Sequence, residues 1–441
     1  MGAVWIASLQ NKQDLMMKTI KYPNKADWPE LLKRPVMDTA ALEKSVSGVL
    51  KDVRKNGDKA LLNFALQFDK VKLESLEVSR KELESAEVSA ELEAAMKTAY
   101  ENIYNFHWSQ KEGAKEMETG KGVRCWRKSV GIEKVGLYIP GGSAPLFSTV
   151  LMLAIPAKIA GCREVILCTP PGKDGKINEA ILFAANLCGI RRVFKAGGAQ
   201  AIAALAYGTE CIPKVSKIFG PGNQYVTCAK QLVQKEGVAI DMPAGPSEVA
   251  VLADESAVPA FVASDLLSQA EHGADSQVLL VSDSEKLIDE VIREVKNQMS
   301  VLPRKEIVLK ALENSKAVLV KDMNEGMELL NEYAPEHLII NCKESDAMAG
   351  QVVNAGSVFL GNYTPESAGD YASGTNHTLP TNGYAKAYSG VSLDSFVKKI
   401  TFQEITKEGI KKLGPSIETM AKAEGLNAHS NAVTIRIRKN V

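Results

Sequence analysis

Gln269 and His272 have the spacing that a shared metal ion would need. They lie three residues apart at the end of a predicted helix, 259–271, so both side chains can face the same side of it. An amide oxygen and an imidazole placed in this way can ligate one metal ion. The same residues can equally end the helix, with His272 favoured by the helix dipole and Gly273 as the left-handed stop. The pattern alone leaves both interpretations open.

Glu336 and His337 stand at the entrance of a predicted strand, 337–340. Consecutive side chains of a strand face opposite sides unless the backbone is still turning at that point. A carboxylate and an imidazole are candidates for general-base catalysis, because histidine titrates near ~6.5. Placement of both residues at the surface, without a catalytic role, is the alternative.

Two other segments combine histidines with acids. Asp370 and His377 share a polar loop, 362–383, and a loop of this length without helical or strand periodicity is more often functional than a plain connection. Glu424 and His429 share the C-terminal tail. No histidine has the spacing of a zinc finger or of a helical zinc-protease motif. The residues alone therefore do not show that these side chains meet.

Three glycine-bearing turns follow predicted strands, at 136–142, 197–200 and 220–223. Such turns can hold a phosphate on backbone amides and a helix N-terminus. None matches the Gly-x-Gly-x-x-Gly fingerprint, and each could be a tight turn that needs positive φ. Their recurrence at one sheet edge predicts a crevice that binds a nucleotide. The Pro/Gly-rich link 242–248 that follows is either a plain linker or places the hydroxyl of Ser247 in a cleft between two halves.

The elements that must position these groups change in character along the chain. Residues 37–118 are rich in Ala, Leu, Glu and Lys at helical spacing, with Gly57 as a helix stop. From residue 132 onward, short β-branched runs alternate with amphipathic stretches, which is typical of βα units and a parallel sheet. The predicted strands are 135–139, 165–168, 192–194 and 217–219 in a first series, then 248–252, 277–281, 317–320, 337–340 and 357–360 in a second.

The two series predict two α/β halves, each built around its own parallel sheet. The last stretch, 392–441, is read as helical and charged, and it ends in alternating apolar and polar residues. So short a tail cannot build its own core, and it must dock on this chain or on a partner subunit.

Composition excludes several classes of function. The 53 basic residues balance the 53 acidic residues among 441, which argues against a nucleic-acid partner. The seven cysteines are odd in number and form no Cys-x-x-Cys pair, so we expect reduced thiols in a cytoplasmic protein. No apolar run reaches the ~18 residues of a membrane span, and no secretion signal is evident. Met16-Met17-Lys18 resembles a second start, with 1–15 as an extension.

Eight motifs, in order from about residue 35 to the end, together make the sequence similar to the L-histidinol dehydrogenases. They are GLYIPGGSAPLFST (136–149), GGAQAIAALAYG (197–208), FGPGN (219–223), DMPAGPSE (241–248), DLLSQAEHG (265–273), APEHLI (334–339), AGSVFLGNYTPESAGDYASGTNHTLP (355–380) and EGLNAH (424–429).

The resemblance implies an NAD-dependent, zinc-requiring enzyme that oxidises L-histidinol to L-histidine through L-histidinaldehyde with two NAD⁺. It also implies a homodimer whose C-terminal tail crosses to the neighbouring subunit. Glu336 and His337 match the family's catalytic pair, and Tyr138, Gln200 and Asn223 match its cofactor positions. The implied zinc ligands are Gln269, His272, Asp370 and His429, the last from the other chain. The implied substrate contacts are Ser247, Gln269, His272, His337, Asp370, His377, Glu424 and His429.

For the fold, we predict an α/β protein with two Rossmann-like, incompletely doubly wound parallel-sheet domains, a helical N-terminal region and a small tail domain that swaps between subunits. The predicted division is an extension (1–35), a domain carrying metal and catalytic residues (36–131 with 242–385), a nucleotide-binding domain (132–241) and the tail (386–441).

Two other functions compete with this prediction. The first is a related dehydrogenase that acts on a sulfonated diol, which would require an Arg or Lys near the tail to bind the sulfonate. The chain has Glu424 and His429 there, with only Lys422 nearby. A catalytically silent nucleotide-binding scaffold would not need the intact pair Glu336 and His337.

Overall fold

The computed structural model describes residues 17–35, 39–141 and 145–438. The predicted extension 1–15 and Met16 lie outside the described residues, as do residues 142–144 of the first glycine-rich motif.

A six-stranded, all-parallel sheet forms the larger half, in the order β1-β11-β10-β9-β12-β13. Strands β9, β10 and β12 are buried along their whole length, as expected of a parallel sheet covered by helices on both faces. The strands are β1 Lys18–Lys21, β9 Glu248–Ala253, β10 Gln277–Ser282, β11 Lys316–Leu319, β12 His337–Asn341 and β13 Ser357–Leu360.

A five-stranded parallel sheet forms the smaller half, in the order β6-β5-β4-β7-β8. Alternate side chains of its strands enter two apolar layers, with Leu137 and Leu167 in one and Ile166 and Phe194 in the other. The strands are β4 Lys134–Tyr138, β5 Glu164–Thr169, β6 Arg192–Lys195, β7 Lys217–Phe219 and β8 Ala239–Ile240. The predicted α/β class with two parallel sheets is confirmed.

A three-stranded antiparallel sheet, in the order β14-β3-β2, was not predicted. It consists of β2 Glu116–Gly120, β3 Val123–Gly131 and β14 Val397–Ile405. The prediction that the tail from residue 392 is helical is therefore wrong for β14. Strand β2 is exposed throughout and β14 nearly so, and a strand without a buried face carries no apolar alternation to reveal it.

Helices cover both parallel sheets and form most of the remaining chain. They span Trp28–Leu31, Thr39–Phe64, Arg80–Glu84, Ala90–Ser109, Phe147–Ala160, Glu179–Cys188, Gly198–Tyr207, Gln224–Lys235, Pro259–Ala270, Glu285–Met299, Lys305–Glu313, Met323–Tyr333, Ser345–Ala349, Glu366–Tyr371, Lys407–Ala423 and Asn427–Arg438. Gly57 interrupts the first long helix at φ 50°, where a stop was predicted.

Packing differs from the predicted division into domains at the N-terminus. The helices Thr39–Phe64 and Ala90–Ser109 contribute Val53 and Ile103 to the apolar layers of the five-stranded sheet, although the prediction groups 36–131 with 242–385. The described part of 1–35 is not an appendage either. Strand β1 pairs with β11, and Trp28 is buried against the six-stranded sheet.

The polar loop 362–383 contains a short helix, Glu366–Tyr371, which the prediction of a structureless loop missed. The tail helices Lys407–Ala423 and Asn427–Arg438 pack on each other, with Gly414 against Val433 and Ile437. Within the described residues, no helix has the length and apolar content to cross a membrane.

Candidate active site

Glu336 and His337 lie at the amino end of β12, in the interior of the protein. Their exposed fractions are 6% and 4%, so the alternative of surface placement is wrong. The turn that delivers them begins at Ala334, whose φ of 53° is left-handed. His337 pairs in register with Val249 of the neighbouring strand β9. The pair therefore lies beside the first residues of β9.

Glu248, the first residue of β9, contacts both members of the pair through its main chain. Its N–H donates to Glu336 Oε2 at 2.8 Å, and its carbonyl lies 3.1 Å from His337 Nδ1. Since a carbonyl only accepts, Nδ1 must carry the proton and donate. The other ring nitrogen, Nε2, is buried and has no hydrogen-bond partner among the described residues. In the neutral ring this nitrogen is the free base.

The short helix Glu366–Tyr371 brings two carboxylates to the same imidazole. Asp370 Oδ1 lies 3.6 Å from His337 Nε2, and Glu366 Oε1 lies 3.9 Å from His337 Nδ1. The sequence prediction included Asp370 and missed Glu366. Their i, i+4 spacing after Pro365 was a usable signal, because residues four apart share a helix face.

His272, Glu366 and Asp370 offer ligand atoms that all lie within 4.8 Å of one another. The side-chain amide of Gln269 donates an N–H to Glu366 Oε1, and its oxygen accepts from the Glu248 N–H at 2.8 Å. Glu366 Oε2 is buried and, like His337 Nε2, unpartnered among the described residues. An imidazole and two carboxylates, with the amide of Gln269 beside them, form a donor set that zinc accepts, and the concentrated negative charge favours a bound cation. The residues present fit a divalent metal ion.

Burial and crowding shift the protonation of these groups. Burial raises the pKa of Glu336 to about 8. Burial alone would lower the pKa of His337, but the carboxylates of Glu366, Glu336 and Asp370 raise it to about 10. Part of the His272 ring is open to solvent, yet desolvation by the surrounding protein lowers its pKa. His272 is thus available as a neutral ligand near pH 7.

His377 joins this cluster to the smaller half of the molecule. Its Nδ1 contacts the Asp370 carbonyl at 2.9 Å, and its Nε2 contacts Thr149 Oγ1 at 3.1 Å. Thr149 lies in the first turn of the helix Phe147–Ala160, which covers the five-stranded sheet. Ser247 immediately precedes β9 and is half-buried at the same edge.

Tyr138, Gln200 and Asn223 all line one cavity of about 1110 Å³ at the carboxyl edge of the five-stranded sheet. The hydroxyl of Tyr138 accepts a 3.1 Å hydrogen bond from the N–H of Gly198. Asn223 Oδ1 accepts from two amides of the helix Gln224–Lys235 and so caps it. The cavity opens beside β4 and β7, where the strand order reverses, which is the usual place for a nucleotide.

A buried ion pair stabilises the turn 220–223, which contributes Asn223 to the lining of this cavity. The side chains of Lys230 and Asp241 are paired and only 5% and 1% exposed. Lys230 Nζ donates to the carbonyl of Gly220 at 2.9 Å, while Asp241 accepts from the N–H groups of Gly220 and Met242, each at 2.8 Å. Gly220 has a φ of 127°, and a Cβ there would lie 2.0 Å from the Tyr138 carbonyl. Only glycine fits this turn.

Glu424 and His429 are not brought to the cluster within this chain. Both are exposed, Glu424 at the end of one tail helix and His429 near the start of the next. Leu413, Met420, Leu426 and Ile435 are also exposed on these helices. An apolar surface of this kind is typical of an interface.

Sequence reasoning also missed the residues that hold the main chain of the site. Glu248 was placed in a strand without a role, and Arg34, its buried partner, lay in the segment read as an extension. Asp265, whose pKa burial raises to about 7, lies close to Glu366. No spacing rule links such distant positions, so only the fold reveals them.

Comparisons with known proteins agree with the geometry. The family model described as histidinol dehydrogenase matches residues 32–437. A histidinol dehydrogenase of Bacteroides thetaiotaomicron is 65% identical over 96% of this chain and 99% of the relative. The chloroplastic histidinol dehydrogenase of Arabidopsis thaliana is 53% identical over 92% of this chain and 88% of the relative.

A solved structure is similar throughout. The crystal structure of histidinol dehydrogenase from Elizabethkingia anophelis superposes with a TM-score of 0.94 at 55% identity, covering 96% of this chain and 98% of that one.

Proposed function

The chain belongs to the histidinol dehydrogenase family, NAD-dependent oxidoreductases of histidine biosynthesis, and from this premise we propose how its residues carry out the reaction. The substrate is L-histidinol, and the full reaction removes four electrons with two NAD⁺, through L-histidinaldehyde, to give L-histidine. The observation that carries the proposal is the buried cluster of Glu336, His337, Glu366 and Asp370 beside His272.

His337 acts as the base for the substrate hydroxyl. Its Nδ1 is held by the Glu248 carbonyl, which leaves Nε2 to take the proton. A bound zinc ion would orient the nitrogen donors of the substrate and, by offsetting the charges of Asp370 and Glu366, return the pKa of His337 from about 10 toward neutrality. Gln269, His272 and Asp370 are the ligands that we assign to this chain, and Mn²⁺ or Co²⁺ could replace zinc on these donors.

Glu336 acts in the second oxidation, where it activates the water that adds to the aldehyde. Its pKa of about 8 lies near the working pH, where a general base is most effective. The bond from the Glu248 N–H keeps one carboxylate oxygen, Oε2, in place.

NAD⁺ supplies the hydride acceptor, and we assign it to the cavity lined by Tyr138, Gln200 and Asn223. Ser247 directly precedes β9 and His377 contacts the Asp370 carbonyl, and we assign both to substrate contact. The hydrogen bond between His377 and Thr149 supports this assignment, because it ties the catalytic edge to the cofactor half.

Glu424 and His429 complete the site in a homodimer, with His429 as the fourth metal ligand and Glu424 on the substrate amine. The tail supports this proposal because both residues are exposed beside apolar side chains that one chain leaves uncovered. We further propose that the enzyme works in the cytoplasm, since all seven cysteines are free thiols.

Substrate choice is tested with the purified, zinc-loaded protein. Formation of NADH and histidine from histidinol is expected, with no NADH from a sulfonated diol. The reverse pattern would replace the proposal by the related diol dehydrogenase, and failure with both substrates would favour a silent scaffold.

The shared site is tested by mixing His429→Asn subunits with His272→Asn subunits. Each variant alone is expected to be inactive, whereas heterodimers recover about one competent site, because the intact residues then meet across one interface. No recovery in verified heterodimers would contradict a site shared between subunits.

A further inference from the structure

The main chain of Glu248 contacts both catalytic side chains. Its N–H holds the Glu336 carboxylate and its carbonyl holds His337 Nδ1. A rotation of this single peptide segment would therefore displace both groups together. Whatever fixes Glu248 also fixes the geometry of the catalytic pair.

The Glu248 side chain is buried at 2% exposure and points away from the pair to a guanidinium group. The guanidinium group of Arg34 donates two hydrogen bonds to the Glu248 carboxylate, one from Nε to Oε1 and one from Nη2 to Oε2 at 2.9 Å. The backbone N–H of Asn382 adds a third bond to Oε1 at 2.8 Å. A two-pronged contact of this kind fixes orientation as well as distance.

Arg34 also holds the turn that delivers the catalytic pair. Its Nη2 donates to the carbonyl of Tyr333 at 2.7 Å, and its guanidinium carbon lies 4.0 Å from the centre of the Tyr333 ring. Tyr333 is three residues before Glu336 and directly precedes the left-handed Ala334. One guanidinium group thus links the start of β9 to the turn before β12.

We propose that Arg34 is a positioning residue for catalysis, which acts through Glu248 and the Tyr333 turn to hold Glu336 and His337 in register. The inference rests on the proposed function, because it assigns a role relative to that catalytic pair. A buried ion pair is poor evidence for stability alone, since apolar residues of similar volume often serve as well. Here the two charged side chains also bond to main-chain groups of the site, the Tyr333 carbonyl and the Asn382 N–H. Apolar side chains could not make these hydrogen bonds.

Arg34→Lys is the direct test, because lysine keeps the charge and loses the planar, two-pronged grip. A control exists in the other half of the molecule. Arg54 bonds to Glu236 at 3.0 Å and lies 4.6 Å from the centre of the Tyr207 ring, so it also joins a carboxylate to a tyrosine ring, but at the surface and away from the catalytic pair. Arg54→Lys therefore reports the general effect of the substitution.

With saturating zinc, Arg34→Lys is expected to lower kcat for histidinol by about tenfold or more, since small misplacements of catalytic groups have effects of up to about a hundredfold. The KM for NAD⁺ should stay within about twofold of the wild-type value, and Arg54→Lys should keep wild-type kcat. Glu248→Gln, which retains the shape and loses the charge, is expected to lower kcat by a smaller factor. It serves as the second variant if Arg34→Lys does not fold.

Hydrogen–deuterium exchange gives a readout that does not depend on activity. Arg34→Lys should speed exchange in peptides covering 247–250 and 334–339, with 277–282 unchanged. Faster exchange confined to these two segments would support the positioning role even if the wild-type protein does not oxidise histidinol. That combination would contradict only the proposed function. Wild-type kcat and wild-type exchange at both segments in the folded variant, or a change in kcat no larger than that of Arg54→Lys, would overturn the inference.

Discussion

The cavity that we assign to NAD⁺ lies at the carboxyl edge of the five-stranded sheet, whereas the proposed catalytic cluster lies at the amino edge of the six-stranded sheet. Tyr138 ends β4, and the turn 220–223 follows β7, but Glu248 and His337 begin their strands. The segment 241–247 runs from β8 directly to β9 and so joins one edge to the other. The two opposite edges of successive sheets can thus form one site.

The two edges also differ in chemistry. The cofactor edge is built from glycine turns and helix N-termini, which suit a phosphate. The catalytic edge concentrates buried carboxylates and imidazoles, whose protonation the protein shifts. Each edge contains a buried ion pair that holds main-chain groups, Lys230 with Asp241 and Arg34 with Glu248. Both edges therefore use an ion pair to position main-chain groups, although the chemistry of the two edges differs.

The largest effect that separates the two edges is expected from Glu336→Gln and His337→Asn. Each should lower kcat for histidinol by about 10²–10⁴, the range for a lost general base, while the dissociation constant for NAD⁺ stays at the wild-type value. Steady-state kinetics and fluorescence titration of NAD⁺ measure the two quantities. Weakened NAD⁺ binding in both variants would show that the edges are not separate.

Glu366→Gln is expected to weaken zinc binding by about 10–100-fold, the range for partners of metal ligands. The substitution removes a charge whose oxygen lies within 4.8 Å of ligand atoms of His272 and Asp370. Competition with a chelating dye measures the affinity. Ser345→Ala, at a half-buried helix start in the same half, is the control. An unchanged zinc affinity would remove Glu366 from the metal site.

Zinc affinity should also fall with pH, because the ligands bind only after losing their protons. Between pH 8 and pH 7 the displaced proton should come from His337, whose pKa of about 10 zinc would lower, and not from His272, whose pKa burial holds below its ordinary value of 6.5. Below the pKa of His272, the affinity should drop by about tenfold per pH unit for each proton displaced. The same pH dependence in the His272→Asn variant would exclude His272 as the ligand that loses this proton.

At the cofactor edge, Gly220→Ala should destabilise the protein by about 1–3 kcal/mol, because its Cβ would meet the Tyr138 carbonyl. The KM for NAD⁺ should rise, because the turn must shift. Gly237→Ala is the matched control, since Gly237 also has positive φ, 92°, but open space at the Cβ position. Equal effects of the two substitutions on thermal stability and KM would mean that the close approach to Tyr138 is unimportant.

The smallest effect is expected from Tyr138→Phe, which removes the acceptor for the Gly198 N–H. One hydrogen bond contributes about 1 kcal/mol, so the KM for NAD⁺ should rise by about fivefold with kcat nearly unchanged. A fall in kcat alone would move Tyr138 from cofactor binding to the chemical step.

The contrast between the edges also explains what the sequence predicted. Most strands of both parallel sheets are buried apolar runs, and all nine predicted strands lie within one residue of those observed at each end. The short edge strands β1 and β8 were not predicted, since β1 is largely exposed and β8 has only two residues. The glycine-bearing turns could be predicted from the sequence because each one follows a predicted strand. The antiparallel strands β2 and β14 were not, because their exposed side chains carry no pattern.

For the catalytic edge, residue types predicted the candidates and family resemblance supplied their roles. Glu336 and His337 are adjacent in sequence, but Glu366 was hidden in a segment read as loop. Arg34 and Glu248 are 214 positions apart, and no local rule relates them. Contacts of this kind depend on how the two chain segments pack, which periodicity does not encode.

The most direct test of the central claim, that one site carries out both oxidations, is the number of NADH molecules formed per histidinol consumed to completion. The proposed roles of His337 and Glu336 predict a ratio of two, with histidine as the product and no reaction after the metal is removed by a chelator. A ratio of one with accumulated histidinaldehyde, or full activity in the metal-free protein, would contradict the account.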